Sequence, residues 1–557
     1  MAARKSRRDD QLDFLPLGGA GEIGMNVNLY RHAGKWLMVD LGITFADRDL
    51  PGIDIVLPDL AYIEKQRSAL VGLVLTHGHE DHLGAVQYLW PRLGCPVYAT
   101  PFAAALLRRK IADDPVEGLD DLEITEVALG ARFTVGPFDV ELVSLTHSIP
   151  EPNAVVIRTP AGTVMHTGDW KIDPTPLVGA ATDEATLTAL GDAGVLAMVC
   201  DSTNALRAGT SGSEAEVRAS LTELVRACTG RVAITTFASN VARMLTCHHV
   251  ARQTGRSAAL VGRSLWRIFE SARETGYIPQ GVRFLSDKEA VDLPPDKVLY
   301  ACTGCQGEPN AQLSRIASGS HPYVTLGAGD LAIFSSKIIP GNERPIFGLI
   351  NRLVAREIEV ITEQDRFVHV SGHPSRDELT RMYQWVRPRI AVPVHGEARH
   401  LRAHAALARA LQVPEAIVIE NGTLVRLAPG PAEIIDRVHA GRLVWDGTAV
   451  IPIDGTVMRE RKKMMRDGAA FVAVVVDDQG EVMADPSVSV YGLFENVEAD
   501  ARLAEAADDV REAIEELSPR ERRDDEAVRG AARQAVRRTL RAARNKRPIV
   551  EVSVTRV

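Results

Sequence analysis

Short apolar runs punctuate the first part of the chain: FLPL, VNLY, WLMVDLG, VGLVLTH, PVYAT, VELVSLTH, AVVIRT, TVMHTGD and LAMVCDS, between residue 12 and about residue 205. Runs of this length, rich in Val and Leu and bounded by Gly, Pro or Asp, predict strands. Few long helices separate the early ones. The pattern therefore predicts a sandwich of mostly antiparallel strands with helices outside, rather than a βαβ array. From about 213 to 350 the texture changes, and the amphipathic stretches EAEVRASLTELVRAC and RSLWRIFESARETG alternate with the strands VAITTF, AALVG, VLYACTG and LAIFSS. That alternation predicts a second, α/β domain. Between 367 and 425 the first texture resumes with FVHVSGH, a helix around SRDELTRMYQWVRP, the strand IAVPVHGE and a further helix. One domain is thus inserted into another.

Beyond about 450 a separate small unit is expected. FVAVVVDDQG and VSVYGLFE read as strands, and Leu503, Val510, Ile514 and Leu517 share one helix face. Ser518, Pro519, Arg520 and Glu521 have the form of a capping box with proline at the first helical position. They predict an arginine-rich helix from Arg520 to Arg547, ending before PIVEVSV. Its basic residues read either as a solvated or dimer-supporting face or as a contact for RNA or a partner, and Asp524, Asp525 and Glu526 favour the first.

Length and charge narrow this only a little. A chain of 557 residues exceeds what one core supports, so two to four domains are expected. A net charge of -9 argues against indiscriminate coating of nucleic acid, although a basic groove fits inside an acidic whole. The basic MAARKSRRDD is followed by QLDFLPLGG rather than an apolar stretch, and nowhere do about 18 apolar residues run together. The expectation is a cytoplasmic protein without a membrane span. Six scattered cysteines suit reduced thiols, and Cys302 and Cys305, the one CxxC, read as two loop cysteines.

The chemistry is concentrated in LTHGHEDHLG, residues 75 to 84. His77 and His79 lie two apart in an extended segment leaving a strand, so their imidazoles can grip one metal ion, while Asp81 and His82 face a second. Packing or solubility alone would not require such density. His147, Asp169 and His395 also follow apolar strands, where side chains distant in sequence converge. Gly19, Gly21 and Gly24 satisfy GxGxxG, with Asp40 about 20 residues on, yet MNVNLY alternates with period two and predicts a strand. A dinucleotide fingerprint needs a helix there.

The HxHxDH cluster with His147 and Asp169 resembles the metallo-β-lactamase superfamily. The resemblance implies an αββα sandwich with two zinc ions, manganese being the alternative. One ion would be held by His77, His79, His147 and Asp169, and the other by Asp81, His82, Asp169 and His395. Asp40, ending WLMVD, would orient a ligand histidine from behind. Such ligands suit two ions able to make hydroxide and clamp a phosphoryl displacement.

The inserted region narrows the class. LGGAGEIGMN, DSTNA, TFASN, TGCQGEP, SSKIIPGNE, HVSGH and PVHGE, in this order, closely resemble the β-CASP nucleases and, within them, the bacterial ribonuclease J family. The implied fold is α/β: a metallo-β-lactamase sandwich (1–208 and 365–435), an inserted β-CASP domain (209–364), a linker (436–452) and a small α+β C-terminal domain (453–557). The implied activity is 5′-to-3′ exonuclease action preferring 5′-monophosphate single-stranded RNA, plus endonuclease action, in rRNA processing and mRNA decay, leaving 5′-phosphate and 3′-hydroxyl products. Asp81, Asp201 and His373 would be catalytic, and Ser239, Asn240, His369, Ser371, Gly372 and His373 would bind substrate. The family likeness further implies self-association through the C-terminal domain, as a homodimer or homotetramer, with RNA-degradation or ribosome-associated partners. A β-CASP nuclease acting on DNA and a non-catalytic RNA-binding subunit are the rival readings.

Overall fold

The computed structural model describes residues 10–47 and 49–557; the basic N-terminal residues 1–9 lie outside them. Two large sheets build the sandwich. The eight-stranded one runs in the order Glu433–Arg437, Thr423–Ala428, Leu12–Gly18, Val27–His32, Lys35–Val39, Leu70–Val74, Val97–Ala99, Ile124–Glu126. The seven-stranded one runs Glu415–Ala416, Ile390–Val394, Ala197–Asp201, Gly162–His166, Asn153–Thr159, Phe138–Ser144, Arg132–Val135. Inward residues of both, among them Phe14, Val39, Val74, Val140, Val155, Val199 and Val392, make one core. Met165, Met198 and Ala391 on the other face of the second sheet meet Leu379, Met382 and Trp385 of the helix Arg376–Val386.

The expectation of mostly antiparallel strands holds only narrowly, because parallel pairs run through the middle of both sheets. Leu70–Val74 runs parallel to both Lys35–Val39 and Val97–Ala99, and Ala197–Asp201 runs parallel to both Gly162–His166 and Ile390–Val394. Short crossover helices hid this, because Ala61–Glu64 has only four residues and Val86–Leu93 eight, too few to register as a helical period. The consequence is functional. Parallel neighbours end at the same rim, so residues following several strands meet there.

MNVNLY is a strand, Val27–His32, as its alternation predicts. The glycine loop before it closes on the backbone at His395: Gly21 N–H donates to the Gly396 carbonyl at 3.0 Å. Residues 367–373 are irregular rather than a strand. The inserted region carries six parallel strands, with Val232–Thr235 between Val298–Cys302 and Leu331–Phe334, around a core that includes Tyr300, Leu313 and Leu349. All six cysteines are free, and burial pushes the Cys305 thiol up to about 12, so the CxxC is a pair of inert buried thiols.

The chain divides into two compact units, residues 45–56 and 442–557 forming the second. There Ala469–Val476 lies between Ser487–Tyr491 and Ile549–Arg556, with Val472 and Val474 packed on Val510, Ile514, Val528 and Val536 of two helices. The arginine-rich helix is Asp525–Arg544, shorter than predicted. Asp524 caps it by accepting from Glu526 N–H, whereas the Ser518–Glu521 box closes only a turn. Residues 436–452, expected as a linker, instead contain the paired strands Arg442–Asp446 and Ala449–Pro452, turned at Gly447. No helix among the described residues is long and apolar enough to cross a membrane.

Candidate metal centre

Six strands of the sandwich deliver the centre. Asp40 follows Lys35–Val39, His77 follows Leu70–Val74, His147 follows Phe138–Ser144, Asp169 follows Gly162–His166, Asp201 ends Ala197–Asp201 and His395 follows Ile390–Val394. Three groups of ligand atoms each lie within 4.8 Å of one another: His77, His79, His147 and Asp169; Asp81, His82, Asp169 and His395; and Asp169, Asp201, His373 and His395. Asp169 belongs to all three.

Hydrogen bonds behind the rings fix which nitrogens face inward. Thr76 Oγ1 gives its proton to Asp40 Oδ2 at 2.9 Å and therefore accepts from His77 Nδ1–H, also at 2.9 Å. His147 Nδ1–H donates to the Gly372 carbonyl. Both Nε2 atoms are left as lone pairs, 3.1 and 3.0 Å from His79 Nδ1. Burial holds His77 and His147 well below the usual histidine range, and burial lowers His79 to about 4. At most one proton can therefore lie among the three nitrogens, leaving bare lone pairs opposed. A cation resolves that repulsion, and the chemistry fits an imidazole-bound divalent metal. Asp169 adds a buried Oδ1 with no hydrogen-bond partner, suited to a bridging carboxylate.

The second group is built alike. Asp40 accepts His82 Nδ1–H at 2.7 Å, turning Nε2 toward Asp169 Oδ2 at 3.2 Å and Asp81 Oδ2 at 3.6 Å. His395 Nε2 meets Asp81 Oδ2 at 3.1 Å. Burial alone would lower His82 and His395, but Asp169 and the neighbouring carboxylates raise both. A divalent ion would replace those protons.

His373 Nδ1 lies 2.8 Å from Asp201 Oδ2, its ring stacked on His395 with centroids 5.4 Å apart. Burial pulls His373 down, yet Asp201 and Asp169 carry it above the ordinary value. Ser371 Oγ accepts from Asn204 Nδ2 at 2.8 Å and from His373 N–H at 3.2 Å, and its own proton has no protein acceptor among the described residues. Asn240 is occupied by the fold: Oδ1 caps a helix through Arg243 N–H, and Nδ2 donates to Glu214. His369 keeps a buried Nδ1 without a partner. Ser239 Oγ lies 3.0 Å from His79 Nε2.

Sequence reasoning missed Thr76, Thr203, Asn26 and Asn204. Asn26 Nδ2 donates to the Asp81 carbonyl at 3.1 Å, and Thr203 Oγ1 holds His395 Nδ1 at 2.8 Å. The signal was position, since Thr76 and Thr203 each adjoin a singled-out residue by one or two places.

Comparison with known proteins agrees with this geometry. Residues 20–195 match the metallo-beta-lactamase superfamily, 229–353 the ribonuclease J beta-CASP domain, 357–418 the Zn-dependent metallo-hydrolase RNA specificity domain, and 456–557 the ribonuclease J C-terminal domain. The chain is 46% identical to a ribonuclease J from Sinorhizobium meliloti, over 99% of this chain and 98% of that protein. It is 39% identical to one from Mycolicibacterium smegmatis, over 97% and 96%, and 34% identical to one from Thermus thermophilus, over 97% and 94%. A solved structure of a protein of unknown function from Enterococcus faecalis shares the fold at TM-score 0.52 and 17% identity, covering 75% of this chain and all of that one.

Proposed function

This chain belongs to the ribonuclease J family, and from that premise we propose that it is a two-zinc ribonuclease degrading single-stranded RNA 5′ to 3′ from a monophosphate end, with internal cleavage as a second activity. Membership makes it a metal-dependent nuclease of RNA metabolism; zinc, direction and end preference are our reading. The observation that carries it is the convergence of three imidazole nitrogens, with at most one proton among them, on a shared carboxylate, beside a second histidine–carboxylate group.

His77, His79, His147 and Asp169 would hold one ion and Asp81, His82, Asp169 and His395 the other, with zinc favoured by the imidazoles and manganese the alternative. Two such ions, when bound, polarise a phosphodiester and make water acidic enough to attack near neutral pH. Asp40 fixes the His82 ring. His373, oriented by Asp201, whose carboxylate favours its protonated form, is placed to protonate the departing 3′ oxygen or to hold the scissile phosphate. The free Ser371 proton, the Gly372 backbone and Ser239 would meet a terminal phosphate, while Asn240 and His369 shape their loops. In this reading residues 1–208 with 365–435 cut, 209–364 clamp RNA, and 453–557 support a dimer or tetramer. A cytoplasmic place beside RNA-degradation or ribosome-associated partners follows from it.

The test is one RNA labelled at either end and presented with 5′-monophosphate, 5′-triphosphate or 5′-hydroxyl, with zinc or manganese, to wild type and Asp81→Ala. Mononucleotide release that prefers the monophosphate and vanishes in the variant is expected. RNA binding without ion-dependent cleavage would overturn the catalytic reading, and equal cleavage of a DNA version would overturn the RNA one.

A further inference from the structure

The two ligand groups differ in where their outer hydrogen-bond partners come from. His82 is held by Asp40 and His395 by Thr203, both within the sandwich. His77 is also held internally, through Thr76. The other two histidines of that group are not. His79 Nε2 is backed by Ser239 Oγ, on the loop after the inserted strand Val232–Thr235, at 3.0 Å. His147 Nδ1 is backed by the carbonyl of Gly372, on the segment returning from the insertion.

We propose that the inserted domain is a positioning element for the first ion: Ser239, seated on His79, and the return loop, seated on His147, complete that site, so that ion binding and docking of the insertion are one linked equilibrium. The inference rests on the two-ion reading above and adds an asymmetry to it.

The physical argument is tautomeric. For His79 Nδ1 to face an ion as a lone pair, its proton must sit on Nε2, and Ser239 Oγ is the group that accepts it there. Ser239 has little freedom to move alone. Its neighbour Asn240 caps the helix Val241–Gln253 and bonds Glu214, whose carboxylate takes the buried Arg243 guanidinium, and Arg243 in turn donates to the carbonyls of Ser335 and Val368. Glu214 N–H donates to Asp173, and Asp173 pairs with buried Lys171, whose Nζ reaches the Gly212 carbonyl. A continuous chain of satisfied buried polar contacts therefore runs from Ser239 back to the sandwich. Opening the insertion would withdraw the Ser239 hydroxyl from His79, and by thermodynamic reciprocity an ion on His79 would favour the closed arrangement.

Zn2+ titrated against a competing chelator reads the two affinities in the full-length protein, for wild type, Ser239→Ala and Ser239→Thr. We expect two ions per wild-type chain. In Ser239→Ala one of the two affinities should fall ~10- to 100-fold while the other holds, the effect typical of losing an outer partner. Ser239→Thr, which keeps the hydroxyl, should restore it. Hydrogen exchange of wild type supplies a readout that needs no variant: Zn2+ should slow exchange across residues 235–241. Two tight ions with unchanged affinities in Ser239→Ala, or no Zn2+-dependent protection at 235–241, would overturn the inference alone. A wild-type chain that takes up no ion would overturn the two-ion reading and this inference with it.

Discussion

Thr203 Oγ1 stands 2.8 Å from His395 Nδ1 and spends its proton on Asp201 Oδ1 at 2.7 Å, so the threonine can only accept from the ring. Thr76 does the same between Asp40 and His77. The centre thus repeats one device twice, a strand-end aspartate that sets a histidine tautomer through a threonine. Thr203→Val keeps the shape and removes the relay; Thr203→Ser keeps both oxygen and proton. We expect the valine variant to bind one metal ion ~10- to 100-fold more weakly and the serine variant to resemble wild type, by ion titration. Equal affinities in all three would remove Thr203 from the centre.

A Cβ added at Gly372 would lie 2.7 Å from His147 Cε1 and 2.9 Å from Nδ1, closer than real contacts allow. Gly372→Ala must therefore push His147 or the return loop away. The expected result is loss of metal from the His77, His79 and His147 group, seen as fewer ions per chain by elemental analysis after gel filtration. Full metal content would show that the loop yields instead.

Asp201→Asn preserves the size of the partner at 2.8 Å from His373 but removes its charge. If His373 works as an acid, cleavage should slow by roughly 10²- to 10⁴-fold with RNA binding nearly unchanged. A rate within a few-fold of wild type would assign Asp201 to the fold.

His404 is buried between Ser202 Oγ at 2.8 Å and Tyr383 OH at 3.0 Å, and burial lowers it to about 4 against an ordinary 6.5. The unfolded chain takes up this proton first. The group's contribution is therefore complete above pH 6.5 and is lost as pH falls from 6.5 toward 4. At pH 5 the loss is about 2 kcal/mol. Denaturant unfolding of wild type and His404→Gln at pH 7.5 and 5 should show a correspondingly smaller decline in the variant, and parallel declines would refute the assignment.

Glu378 collects four donors with almost no exposure: Ile172 N–H at 2.9 Å, Ser211 N–H at 2.9 Å, Ser211 Oγ at 2.6 Å and Ser375 N–H at 2.8 Å. These lie on the sandwich and on the segments leaving for and returning from the insertion. Glu378→Gln turns an amide donor toward donors, costing on the order of 1–3 kcal/mol. Faster hydrogen exchange at residues 209–214 and 371–376 should accompany it. A thermal midpoint and exchange pattern matching wild type would deny Glu378 that part.

What the chain revealed by itself followed range. HxHxDH is local, so its four candidate ligands were legible, and each apolar run announced the strand that delivers His147, Asp169 or His395. Strand direction was not legible, because a Val-rich run buried on both faces reads the same beside a parallel or an antiparallel neighbour. Thr76 and Thr203 escaped notice because a lone hydroxyl carries no pattern, and their meaning arises only when Asp40 and Asp201 arrive from other strands. The start of the arginine-rich helix was misplaced because two capping signals compete six residues apart, and Asp524 rather than Ser518 takes the helix amides.

Ile390–Val394 fits into the second sheet beside Ala197–Asp201, yet the whole insertion separates them in the chain. During synthesis a growing chain that has already emerged through Asp201 still lacks His373 and His395, and one flank of that sheet has no strand. The candidate metal centre is therefore finished late in translation. A newborn chain lacks His373 and His395, two of the residues gathered around Asp169, until all of the insertion and most of the sandwich have been made.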